Sequence, residues 1–224
     1  MRHPILPVLT LWWTEDGQQS NHKPRFSMSE SRAHIAIVGA GQLGSRHLQG
    51  LTKINQAIDI TVIEPNPYAM DLAKKRYDEM PVNPLVRSIS CVSSLKGISQ
   101  DLDLAIIVTN ADVRRKVIEN LLGKIQIKYL ILEKVVFQSV RDFETVIRIL
   151  DEKHAKAWVN CPRRIVPFFR NIREEMITAD KVQIIGEGSK WGMASNAIHM
   201  LDLFAFLTGQ TEICIDGTGL DHKI

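Results

Sequence analysis

From Ile35 onward the chain alternates short apolar runs with helical segments at a regular beat, and a glycine-rich turn stands at the first junction. Nothing else in the sequence constrains the fold as much. His34 to Val38 (HIAIV) predicts a short buried strand, Leu43 to Leu51 a helix, and IDITVI at 58 to 63 a second strand. Asn66 and Pro67 then offer an N-cap and a first helical residue for a helix over Pro67 to Tyr77. A weaker strand is expected at Val86 to Val92 and the most apolar one at Leu104 to Val108. Asp112 to Leu122 reads as a helix stopped by Gly123, Tyr129 to Leu132 as a strand, Val140 to Glu152 as an amphipathic helix and Ala155 to Val159 as another strand. Strands and helices alternating at this period become parallel neighbours joined by right-handed crossovers, which is an α/β fold with a doubly wound sheet.

After Asn160 the rhythm changes. A helix over Val166 to Met176, a strand at Val182 to Ile185, a helix over Asn196 to Leu207 ended by Gly209 and a last strand at Glu212 to Ile215 predict a second unit. At the other end, Ile5 to Trp13 is apolar and follows Arg2, but Pro7 interrupts it and no small-residue cleavage site follows, against a secretory signal. Residues 1–33 therefore read as a leader without fixed structure. Met28 stands just ahead of the first strand, so residues 1–27 are expected to add nothing to fold or function, which truncation at Met28 would check.

The glycines Gly39, Gly41 and Gly44 have the spacing G-x-G-x-x-G. On its own that match is weak, but here the first glycine follows an apolar strand and the third lies inside the next helix. Those are the places where the motif needs a tight turn, close approach of backbone to a pyrophosphate, and close packing of helix on sheet. The helix N-terminus adds free N–H groups and the positive end of its dipole. Glu64 closes the second strand, where a carboxylate would accept hydrogen bonds from ribose hydroxyls and repel a 2′-phosphate. Pro65, Asn66 and Pro67 bring no cation to welcome that phosphate, so NAD is favoured over NADP. Residues 34–160 are thus expected to form a dinucleotide-binding Rossmann domain.

Composition excludes other classes. The 28 Lys and Arg exceed the 25 Asp and Glu by +3, but they are scattered, which argues against nucleic acid. Cys91, Cys161 and Cys214 lack any C-x-x-C spacing, so neither a disulfide framework nor a metal site is expected and a reducing cytoplasm fits. No apolar run has the length of a membrane span.

GAGQLGSRHLQGL, with His47 three positions after the third glycine, resembles the opening of the Gfo/Idh/MocA superfamily of glucose–fructose oxidoreductases and inositol dehydrogenases. AIIVTN at 105 to 110, LILEKV at 130 to 135, RRIVP at 163 to 167 and NAIHMLDLFAFLTG at 196 to 209 resemble further motifs of that family in the same order. The resemblance implies NAD(P)-dependent hydride transfer on a small sugar, cyclitol or related alcohol. It also implies a second α/β domain with a mostly antiparallel sheet, here residues 161–224. By position, Gly39, Gly41, Gln42, Leu43, Gly44 and Glu64 would hold the dinucleotide, with Thr109, Asn110 and Glu133 lining its cleft. Lys134 would face the reacting oxygen, where an ammonium stabilises developing alkoxide charge. His199 would be the general acid–base. Arg164, Asn196 and Asp202 would bind substrate.

The chain departs from the family pattern at four places. Ser195 replaces an aspartate expected before His199, and Arg114 replaces a histidine. Val135 replaces the proline after Lys134; a cis bond before valine costs about 2.5–4 kcal/mol against roughly 0.5–1 before proline, so Lys134 is expected to be aimed differently. The chain also ends at Ile224, where the family's second sheet would be barely begun. A partial second domain is therefore expected, its uncovered surface met by a second copy in a homo-oligomer. The alternative is a catalytically inactive dinucleotide-binding protein or remnant; a third reading, a biliverdin-reductase-like enzyme, would not need His199.

Overall fold

The computed structural model describes residues 32–190, 192–214, 216 and 218–219. The expectations for the leader fall outside these residues up to position 31. The chain divides into two compact units, one ending at Asn160 and the other beginning at Cys161.

The first unit runs β1 (Ala33–Val38), α1 (Gln42–Leu51), β2 (Ile58–Ile63), α2 (Pro67–Asp78), β3 (Val86–Val92), β4 (Leu102–Ile107), α3 (Ala111–Leu122), β5 (Ile127–Leu132), α4 (Val140–Glu152) and β6 (Lys156–Val159). Its six strands are all parallel, in the order β3-β2-β1-β4-β5-β6. Successive side chains of a strand point to opposite faces, and the core obeys this period. Ile35 and Ile37 of β1 join Ile58, Ile60 and Val62 of β2 against Leu48 of α1 and Met70 and Ala73 of α2. Ala36 and Val38, one residue out of phase, join Ala105, Ile107, Leu130 and Leu132 against Ile118 and Leu122 of α3 and Val146 and Leu150 of α4. A strand buried on both faces must be apolar at every position, which is why HIAIV and IDITVI carry so few polar residues.

The helix ends are chemically marked. The Asn66 side chain accepts from the Tyr68 N–H at 3.0 Å with Pro67 at the first helical position, and the Ser139 hydroxyl accepts from the Asp142 N–H at 3.2 Å. Gly123 ends α3.

The second unit holds α5 (Pro167–Met176) and α6 (Met193–Thr208), the latter closed by Gly209 at φ +72°. Here the expected antiparallel sheet is not found: residues 182–185 and 212–214 form no strand, Ile215 lies outside the described residues, and the sheet of this protein is parallel throughout. An apolar run becomes a strand only when a neighbour completes its ladder, and two four-residue runs make at best a marginal pair. Among the described residues no helix is long and apolar enough to cross a membrane.

Candidate functional site

In a sheet of this order the connections leave in opposite directions from β1 and β4, and ligands bind beyond the carboxyl ends of those strands. The ladder itself places the residues there. One residue past each strand, the Gly39 N–H donates to Ile63 O at 2.8 Å, the Glu64 N–H to Val92 O at 3.0 Å, the Glu133 N–H to Ile107 O at 3.1 Å and the Asn160 N–H to Leu132 O at 2.8 Å. Four candidate or neighbouring residues therefore stand at a height fixed by a backbone bond.

The glycine turn has the geometry its spacing anticipates. Gly39 has φ +92°, where side chains with a Cβ are rarely accommodated. A Cβ on Gly44 would lie 1.9 Å from the Gly39 carbonyl oxygen, whereas one on Gly41 would meet nothing within 4 Å. Backbone packing thus requires Gly44, and the space over Gly41 is open for a ligand. Glu64 faces this turn: one carboxylate oxygen accepts from the Ala40 N–H at 2.7 Å and the other from the Asn66 N–H at 2.9 Å. Arg76, which the sequence does not single out, reaches back from α2 and donates to the Gln42 side chain and the Ser45 hydroxyl at 2.7 and 2.6 Å. The Gln42 side-chain oxygen is taken by that guanidinium, which fixes the amide beside the turn.

Between the ends of β4 and β5 lies a cleft of about 410 Å³, lined by Leu43, Thr109, Asn110, Arg114, Glu133 and Lys134 among others. The hydroxyl oxygen of Thr109 is buried and has no hydrogen-bond partner among the described residues. Glu133 is only 5% exposed. Its carboxylate accepts from His47 Nε2 at 2.7 Å and from Asn160 Nδ2 at 2.6 Å, joining α1, the end of β5 and the end of β6. An ionised carboxylate only accepts, so Nε2 of His47 carries the proton. Burial pushes the Glu133 carboxyl up, but these hydrogen bonds, the charge of His47 and the Lys134 N–H outweigh it and hold the group below the usual carboxylate range.

Arg114, which stands where the family has histidine, lines the floor of this cleft from a buried position. It is 3% exposed, and its guanidinium donates to the carbonyls of Thr109, Glu133, Val135 and Val136. Burial lowers its pKa, which the charge of Glu133 partly restores. The Lys134–Val135 peptide is cis, although valine stands where the family has proline.

In the second unit, Asn196, His199 and Asp202 all lie on α6, and the Ser195 hydroxyl donates to Gly192 O at 3.1 Å in its first turn. Two of the residues expected to bind substrate are paired with each other: Arg164 Nη2 and Nε stand 2.6 and 2.8 Å from one Asp202 oxygen.

Comparison with known proteins adds independent findings. A family model described as an oxidoreductase family with an NAD-binding Rossmann fold matches residues 33–161. No curated protein matches the chain. Among solved structures, apo scyllo-inositol dehydrogenase from Lactobacillus casei is similar at TM-score 0.60 and 22% identity, over 81% of this chain and 56% of that one. Myo-inositol 2-dehydrogenase from Lactobacillus plantarum gives 0.60 and 16%, over 80% and 57%. An oxidoreductase from Agrobacterium radiobacter, in complex with NAD+, L-tartaric acid and magnesium, gives 0.59 and 14%, over 79% and 55%. These likenesses are of fold, and the chain spans little more than half the length of each.

Proposed function

The chain belongs to the Gfo/Idh/MocA oxidoreductase family, and from that premise we propose that it binds NAD and exchanges a hydride between the nicotinamide and a carbinol carbon of a sugar, cyclitol or related alcohol. The observation that carries the proposal is the glycine turn, closed by Gly44 on Gly39 and open over Gly41, with the Glu64 carboxylate beside it. When bound, the nicotinamide supplies the hydride donor or acceptor. Every other part falls to the chain.

Gly39, its N–H taken by Ile63, makes the turn, and Gly41, Gln42, Leu43 and Gly44 hold the pyrophosphate through main-chain N–H groups at the start of α1. Glu64 has lone pairs beyond the two already engaged, and these take ribose hydroxyls. Thr109, Asn110 and Glu133 line the cleft, and the buried Thr109 hydroxyl gains from a ligand the partner it lacks among the described residues. Lys134 stabilises negative charge on the substrate oxygen, while His199 on α6 takes or returns its proton and Asn196 and Arg164 orient the substrate. The structures of inositol dehydrogenases support a polyhydroxylated substrate. The protein acts as a homo-oligomer in the cytoplasm.

Titration of the purified chain with each reduced dinucleotide tests the cofactor. NADH is expected to bind at least tenfold more tightly than NADPH, a difference of about 1.4 kcal/mol, because Glu64 repels the 2′-phosphate. Equal affinities would remove Glu64 as the selector. For Lys134→Ala, turnover of myo-inositol with NAD is expected to fall by roughly 10²–10³ with NADH affinity kept within about twofold, the pattern of a group that acts on the transition state. Full activity in that variant would end its assignment.

A second reading, dinucleotide binding without turnover, draws on the Arg164–Asp202 pair, which engages two of the expected substrate contacts. It predicts NADH binding with no oxidation of any polyol offered.

A further inference from the structure

We propose that Arg114 is the positioning residue of the site: a single buried guanidinium that pins the Lys134 turn to the end of β4 and so sets where the Lys134 ammonium stands. The proposal rests on the cofactor and substrate reading above for what Lys134 does, but not for how it is held.

Lys134 lies in the connection between β5 and α4, outside the ladder that fixes the strands. Its N–H is held by the Glu133 carboxylate, but the carbonyls around it need a donor from elsewhere. The carbonyls of Glu133, Val135 and Val136 flank Lys134 on both sides, and the carbonyl of Thr109 lies at the end of β4. Arg114 reaches all four, with the two N–H groups of Nη1 shared among the three around Lys134 and Nη2 serving Thr109. A buried carbonyl without a donor costs about 1–3 kcal/mol, so removing this side chain sets several such groups against the turn at once. Arg114 also spans the cleft floor, because Thr109 and Lys134 are lining residues from two different connections. Fixing one against the other fixes the spacing of the walls between which a ligand must fit.

The choice of side chain is explained by shape. A guanidinium is planar, carries five donors in a rigid fork and keeps its charge at any ordinary pH. A lysine could place only a compact ammonium near one of the two groups of carbonyls. A neutral imidazole could donate once. Among the described residues the hydrogen bonds of Arg114 go to main-chain carbonyls, so its effect on the reaction passes through Lys134.

The test is site-resolved acetylation of lysines under limiting reagent, read by mass spectrometry for the wild type, Arg114→Met and Arg114→Lys, each with and without saturating NADH. In Arg114→Met the labelling rate of Lys134 is expected to change about tenfold relative to Lys53 and Lys75, the effect of losing one charge-assisted hydrogen bond on an equilibrium. Protection of Lys134 by NADH is expected to fall with it, and Arg114→Lys to restore less than half of either effect. If Arg114→Met does not fold, Arg114→Lys carries the comparison alone. A folded variant with unchanged Lys134 labelling and unchanged NADH protection would overturn the proposal. If NADH protects no lysine in the wild type, the dinucleotide reading fails, while the labelling rates without NADH still decide whether Arg114 positions Lys134.

Discussion

Gly44→Ala is expected to destabilise the first unit by about 3 kcal/mol or more and to abolish NADH binding, whereas Gly41→Ala should leave stability within about 0.5 kcal/mol and still weaken the ligand. The difference lies in what each new methyl group meets. At Gly44 it would lie 1.9 Å from the Gly39 carbonyl oxygen and 2.8 Å from the carbonyl carbon. Those atoms are backbone, so no rotamer change relieves the contact, and α1 must move off the sheet with Leu48 and the apolar layer beneath it. At Gly41 the methyl group would enter open space, which the proposed function assigns to a pyrophosphate. Urea unfolding followed by NADH titration of both variants separates fold from function. A Gly44→Ala midpoint equal to the wild type would contradict the packing described here, and a Gly41→Ala variant with undiminished NADH affinity would take the ligand away from this turn.

Glu133→Gln is expected to cost about 2–3 kcal/mol at pH 7, and most of that difference is expected to vanish in acid. The substitution keeps the volume but removes the charge that accepts from His47 and Asn160 and that offsets the buried Arg114. It also brings an NH₂ group that faces donors rather than acceptors. Because the folded carboxyl lies below its ordinary 4.5, the stability it contributes is fully present above that value and is lost as pH falls through the folded pKa. Urea midpoints at pH 7 and pH 3 check the sign: the two proteins should differ at the first and converge towards the second. A gap of the same size at both pH values would mean that shape, not charge, is what Glu133 contributes.

Much of the first unit was legible because its information is local. IDITVI at Ile58–Ile63 and the helix Val140–Glu152 have the bounds that periodicity predicts, and Gly39, Gly41 and Gly44 stand where strand, turn and helix require them. The network behind the site was not legible. His47 and Glu133 are 86 residues apart, and Asn160 is another 27 beyond Glu133, so no spacing rule joins them. Only the membership of His47 and Glu133 in separate family motifs hinted at a connection, and Asn160 lies in none of them. Arg114 and Arg76 were hidden for a different reason: sequence shows an arginine as charge, whereas these two act through the direction of their donors. The apolar runs at 182–185 and 212–215 misled because apolar character states a need for burial and does not name the partner that meets it.

The order of the sheet also bears on how the chain is made. β1 pairs on one side with β2, as Ile35 with Ile60, and on the other with β4, as Ile35 with Leu104. Translation proceeds at about 5–20 residues per second, so β1 emerges and gains its first neighbour several seconds before its second exists. During that wait the strand at the middle of the finished sheet is an edge, with unpaired N–H and C=O groups beside an apolar surface. Parallel pairings of this sequence separation close slowly even in a complete chain. The interval before β4 arrives is therefore when the nascent protein is most prone to aggregate, and slowing synthesis between β3 and β4 would lengthen it.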